Sequence, residues 1–162
     1  MEKRVKHLLL LAAAILAAAT FYVLNPWTAV ANTLATVEVD DMALHRAELS
    51  DTIFIYYILV DNPTRTAVTI EKVEITLLVN GTDYLSRVMF NEPLTVKPGT
   101  GVRLQKLVHL AGSPIGYQNT GKRKYLLEAT LEIFASAKSL GMRSENSRVL
   151  TDQRSWFYVK FD

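Results

Sequence analysis

The sequence predicts an all-β chain, an antiparallel sandwich set behind one N-terminal apolar helix. Three observations carry that expectation. An uncharged run, Leu8 to Leu24, opens the chain. From Thr33 onward the hydrophobic period is two rather than 3.6. Strand-length segments then recur between turn signals, with no amphipathic helix among them. Two regions are expected: residues 1–31, holding a cytoplasmic tip, the membrane segment and a linker, and residues 32–162, holding the sandwich.

Taken in order, MEKRVKH precedes LLLLAAAILAAATFYVL. As a helix, residues 8–24 span about 26 Å, at the short end for a hydrocarbon core of about 30 Å. Tyr22 and Trp27 would then sit at the far interface, where aromatic rings prefer to lie. Basic residues precede the segment and acidic ones follow it, which predicts a cytoplasmic N-terminus and the remainder outside. Membrane lipid is the partner expected for residues 8–24. The competing reading is a secreted protein, cleaved after Ala31 at the small-residue site Ala29-Val30-Ala31. Against it, the apolar run exceeds the ~7–15 residues usual in a signal peptide.

Ala35, Val37 and Val39 then alternate with Thr36 and Glu38, and Asp40-Asp41 shifts the phase to Met42 and Leu44. Such a shift reads as a bulge or a bend between sheets. Residues 52–60 are apolar on both faces, so this strand is central and covered on both sides, or carries an exposed aromatic face through Phe54 and Tyr56. Asp61-Asn62-Pro63 ends it. Val73, Ile75, Leu77 and Val79 form a clean inward row, and Asn80-Gly81 is a strong hairpin signal, since both residues tolerate the positive φ of a type I′ turn. Thr82 to Phe90 returns, and Asn91-Glu92-Pro93 and Lys97-Pro98-Gly99 mark a loop or a short edge segment. Val102, Leu104, Val108 and Leu110 share a face with Lys106; an inward lysine on an edge strand guards against edge-to-edge pairing. After Gly112-Ser113-Pro114, Tyr125 to Ala135 gives the longest alternating row. A loop over residues 140–152 is expected before the last strand, where Trp156 and Tyr158 face one way and Phe157, Val159 and Phe161 the other.

Charge excludes some roles. Lys and Arg total 18 and Asp and Glu 16, and setting aside Lys3, Arg4, Lys6 and Glu2 leaves 15 of each sign. A neutral domain lacks the basic surface that nucleic acid requires. The acidic stretch over 32–62 and the basic Lys122-Arg123-Lys124 read as solvated faces. With no cysteine, disulfides, thiol nucleophiles and thiolate metal sites are excluded. His7, His45 and His109 have no partner at ligand spacing, Gly99-Thr100-Gly101 lacks the rest of a phosphate loop, and no nucleophile elbow occurs. The pairs Glu71/Glu74 and Glu128/Glu132 fall on strands, and a glycosidase-like use of the second has nothing else behind it. No catalytic residue, cofactor site or metal site is therefore assigned. Asn80-Gly81-Thr82 is a glycosylation sequon, although turn chemistry explains the same residues.

Val60-Asp61-Asn62-Pro63-Thr64, the strand Ile70 to Val79, Asn80-Gly81 and the later Pro98-Gly99 together resemble the WHy domain of type 2 late embryogenesis abundant (desiccation-related) proteins. In that family an apolar strand ends in Asn-Pro-Asn; here the third position is Thr64. The resemblance covers Ala35 to Leu110 by motif and Tyr125 to Phe161 by pattern. It implies a seven-strand, fibronectin III-like sandwich behind a membrane anchor, without enzymatic activity and linked to water-stress protection. Asn62, Pro63, Asn80 and Gly81 would then be structural motif residues. A protective surface is expected on exposed strand faces, Trp156 and Tyr158 with Phe54 and Tyr56, meeting unfolding proteins or envelope proteins. The alternatives are a self-assembling subunit of a surface filament or envelope complex, and a hydrolase of the envelope.

Overall fold

The computed structural model describes residues 2–47, 51–79, 82–111 and 121–161. Two helices, α1 (Glu2–Leu24) and α2 (Pro26–Thr36), precede eight strands: β1 (Glu38–Ala47), β2 (Asp51–Asn62), β3 (Val68–Val79), β4 (Thr82–Phe90), β5 (Leu94–Val96), β6 (Thr100–Ala111), β7 (Gly121–Ser139) and β8 (Met142–Phe161). They form two antiparallel sheets, one of order β1-β2-β6 and one of order β4-β3-β7-β8 with β5 beside the start of β3. The resemblance implied seven strands; the described residues hold eight, counting the three-residue β5.

Residues 26–36 are the first departure from expectation. They form α2 where a linker and the start of a strand were expected, and the boundary at residue 32 falls inside it. Asn25 caps the helix, its Oδ1 accepting from the Trp27 N–H at 2.9 Å, and Pro26 takes a first-turn position where its missing N–H costs nothing. Pro26, Ala29, Val30, Thr33 and Leu34 are buried, which is one stripe at helical spacing. Ala35 and Val37 fit a period of two as well, and that ambiguity hides the helix. The strand begins only at Glu38.

The core lies between the sheets. Phe54, Tyr56, Ile58 and Val60 of β2 face the rows Ile75, Leu77, Val79 and Leu127, Leu131, Ile133 of the larger sheet, and Val30 and Leu34 join the same cluster. A three-stranded sheet leaves part of a five-stranded one uncovered; α2 packs there, against β7, β8 and β2. The Arg148 guanidinium on β8 donates to the Leu34 carbonyl at 2.5 Å, satisfying an acceptor at the helix C-terminus.

Bulges and turns set the rest. The phase shift at Asp40-Asp41 is a register shift in β1, and Glu71 is the extra residue of a bulge in β3. Lys97-Pro98-Gly99-Thr100 closes with a hydrogen bond from Thr100 N–H to Lys97 O, with Gly99 at φ +66°, as a type II turn requires. The loop expected over residues 140–152 is instead a two-residue hairpin. Leu140 (φ +52°) and Gly141 (φ +75°) join paired Ser139 and Met142, and β8 runs on from there with a bulge at Thr151-Asp152. Both positive φ values match a type I′ turn, but leucine is not a residue that announces one. Asn80 and Gly81 lie outside the described residues, between paired Val79 and Thr82.

Candidate functional site

β2 is apolar along both rows, so parity alone could not say which row would face the second sheet. Phe54 and Tyr56 turn out to be the core row, 1% and 0% exposed. They are therefore withdrawn from the expected contact face. Among the described residues the buried Tyr56 hydroxyl finds no hydrogen-bond partner, and burial pushes its pKa well up. That phenol is neutral at every physiological pH. Trp156 is 54% exposed and sits on the outer face of the larger sheet, opposite Leu126 in register. The side chain of Tyr158 lies outside the described ones. Of the four aromatics, Trp156 is the one the structure places at a surface.

The densest polar construction is the corner that ends β2. Asn62 is 1% exposed. Its Oδ1 accepts from the Thr64 N–H (3.0 Å), the Thr64 hydroxyl (2.6 Å) and the Thr33 hydroxyl on α2 (3.2 Å). Its Nδ2 donates to Thr66 O (2.9 Å) and Val96 O (3.0 Å), and its own carbonyl accepts from Gly99 N–H (2.8 Å). The Asn62 side chain thus ties α2, the loop at 63–67 and β5 together with both of its amide N–H donors used, and its main-chain carbonyl adds the turn at Gly99. Next to it the Thr36 hydroxyl donates to Asp61 O at 2.6 Å and accepts from Asp61 N–H at 3.0 Å, pinning the end of α2 to β2. Pro63 offers no N–H, so the ladder stops where the corner begins. These groups hold one another, so the polar side chains of Asn62, Thr33, Thr36 and Thr64 are engaged inside the corner.

Lys106 stands on β6, at the edge of the smaller sheet, and is turned inward as expected. Its Nζ lies 5.0 Å from the centre of the Phe90 ring and donates to Glu92 Oε2 at 2.9 Å. That hydrogen bond and the lysine charge hold the Glu92 carboxyl below its ordinary range.

The outer face of the larger sheet carries a hollow of about 590 Å³ lined by Glu71, Lys72, Phe134, Arg143, Glu145 and neighbours. The bulge at Glu71 makes it, setting two successive residues on one face. Lys72 Nζ sits 3.8 Å over the Phe134 ring and 2.7 Å from Glu74 Oε1, while Glu71 accepts from the Ser136 hydroxyl and Arg143 pairs with Glu145 at 2.6 Å. Further along, Glu128 pairs with Arg154 at 2.8 Å and Glu132 accepts from the Ser147 hydroxyl at 3.0 Å. Each carboxylate of the two sequence pairs is thus engaged by a cation or a hydroxyl. Such an arrangement stabilises a strand face and offers no pair poised for acid–base work. Among the described residues no group of three or more His, Cys, Asp or Glu could hold a metal.

No family model and no curated protein sequence matches the chain. Among solved structures, a crystal structure of a protein from Archaeoglobus fulgidus superposes with a TM-score of 0.51 at 16% identity, over 78% of this chain and 99% of that one. A solution structure of a candidate late embryogenesis abundant (LEA) protein gives a TM-score of 0.47 at 16% identity, over 94% of this chain and 90% of that one. The first likeness shows a shared fold and nothing about activity; the second carries no argument.

Proposed function

We propose that the protein is a membrane-anchored, extracytoplasmic WHy-type sandwich with a non-enzymatic, protective role under water or heat stress. The observation that carries the reading is the Asn62 corner. Asn62, at the centre of the motif that makes the sequence resemble that family, stands on β2 of the smaller sheet, and its side chain joins Thr33 of α2 to Val96 of β5 in the larger one. The anchor is supported by α1. Arg4–Leu24 is long and apolar enough to cross a membrane, with a mean hydropathy of 2.2, and none of that stretch is buried against the sandwich. Cleavage after Ala31 would cut α2 between its buried Val30 and Thr33, which favours retention of the segment. The charge order around α1 supports a cytoplasmic N-terminus. Trp156, with Val149 exposed on the same face, supplies apolar surface for weak contact with unfolding proteins.

The test is to heat or dry a sensitive enzyme beside the detergent-solubilised protein, its Trp156→Ser variant and an inert protein of equal size in the same detergent. Protection by the wild type but not by the inert protein is expected, with the variant weaker while still folded. Equal protection by wild type and inert protein would remove the stress reading and move the structural-subunit reading ahead.

A further inference from the structure

Strand register places three loops at one end of the sandwich. β2 leaves at Asn62, paired with Thr100; β3 enters at Val68, paired with Val96 on one side and Ala137 on the other. The loop at 63–67, the turn at 97–99 and the hairpin at 138–141 therefore project together. α1 departs from the same end. The Thr66 hydroxyl donates to Leu24 O at 3.4 Å, and Arg65 lines a groove of about 260 Å³ with Ala19, Thr20, Val23 and Leu24 of the helix. Arg65 is thus level with the last turn and a half of α1.

These three segments contain Arg65, Lys97 and Lys138, all exposed, and no acidic residue, in a chain that is charge-neutral after its first few residues. The adjoining carboxylate, Asp61, is exposed, but its Oδ1 lies across the neighbouring strand over Gly101, where a β-carbon would meet it. Two large apolar side chains are exposed at the same end, Leu140 at 54% and Trp27 at 52%. Leu140 is also held at φ +52°, a backbone region that disfavours leucine and suits glycine or asparagine. A leucine kept exposed in that conformation has no packing reason within the sandwich.

We propose that this end of the sandwich seats on an anionic lipid surface around the point where α1 enters it. Leu140 and Trp27 enter the headgroup layer, and Arg65, Lys97 and Lys138 meet lipid phosphates. The inference rests on the anchor reading of α1. If α1 spans the bilayer, Arg65 lies at headgroup depth beside its outer turn. Tryptophan favours that layer, and basic groups near a membrane are drawn to anionic lipid.

The absence of cysteine makes single labels clean. The full chain, carrying one fluorophore at Tyr22→Cys, Ser139→Cys or Val149→Cys, is reconstituted into vesicles of phosphatidylcholine alone or mixed with phosphatidylglycerol. Each contains a headgroup-level lipid quencher. The label at 22 reports the anchor and is expected to be quenched in both vesicles. The label at 139, beside Leu140, is expected to be quenched more in the anionic vesicles, while that at 149, about 20 Å further along the hairpin, is quenched in neither. Arg65→Gln/Lys97→Gln/Lys138→Gln should abolish the difference between the two vesicle types, and Leu140→Ser should lower quenching at 139 in both. Quenching at 22 with no more quenching at 139 than at 149 would overturn the seat and leave the anchor standing. No quenching at 22 would remove the anchor and the seat with it.

Discussion

Two helices, separated by Asn25 alone, take opposite fates. From Leu8 onward α1 is apolar on every side, and none of its described side chains is buried; α2 is apolar along one stripe and becomes part of the sandwich. Hydrophobic content does not distinguish them, but the arrangement does. A helix without a polar face has no orientation in which a sandwich could satisfy it; it has the length and composition of a membrane anchor or a signal sequence. In α2, Trp27, Ala31, Asn32 and Ala35 face outward while Ala29, Val30, Thr33 and Leu34 face the core. That helix closes the sandwich much as an extra strand would.

The largest effect should come from cutting between them in the wrong place. A chain beginning at Asn25 should fold cooperatively with a β-dominated spectrum. One beginning at Asn32 loses the cap, Ala29 and Val30, and its remaining turn is too short to stay helical. Burial of one valine is worth about 1.5–3 kcal/mol and a cap about 1 kcal/mol, and Leu34 would lose its support as well. Against a total stability of about 5–15 kcal/mol, the shorter chain is expected to aggregate or melt without a transition. Equal denaturation midpoints for the two chains would sever α2 from the core.

Next in size is Asn62→Ala. It takes the amide donor from the Val96 carbonyl and the acceptor from the Thr64 N–H, each costing about 1–3 kcal/mol if left unpaired, and leaves the Thr66 carbonyl to the Thr64 hydroxyl alone. A loss of roughly 2–4 kcal/mol in chemical denaturation is expected, as large as for Ile75→Ala in the middle of the core. On α1 the same kind of damage should be silent for the sandwich. Ile15→Ser leaves the unfolding midpoint of the β domain unchanged while weakening retention in the membrane. A shifted midpoint would mean that α1 packs on the sandwich after all.

The smallest effect concerns Glu92. Its carboxyl is held below its ordinary value, so its contribution is present above the unfolded-state pKa and is lost as the pH falls through the lower, folded-state value. Melting curves of wild type and Glu92→Gln should therefore differ at neutral pH and converge in acid. Divergence on acidification would reverse the sign.

Much of the sandwich was legible because alternation and turn chemistry agreed. The rows Val73–Val79 and Leu127–Ala135, the inward Lys106 and the bulge at Asp40-Asp41 all follow from period two. What stayed hidden had two consistent readings at the level of residues. Thr33 to Val37 fits both periods, and Asn25-Pro26 caps a helix as readily as it marks a linker. Phe54 and Tyr56 alternate with an equally apolar row, so only the second sheet decides between them. Leu140-Gly141 conceals its turn because a leucine occupies a position where asparagine or glycine would signal it. Asn62 could be read as a corner residue, but its partners Thr33 and Val96 lie about thirty residues away on either side, and only the folded chain brings them together.

The account turns on α1 remaining attached as a membrane helix while α2 belongs to the sandwich. Intact mass of the native protein, measured after membrane fractionation and alkaline washing, tests that most directly. The expected result is a chain that still includes residues 2–31 and stays in the washed membrane pellet until detergent is added. A soluble species whose mass begins at Asn32 would contradict it.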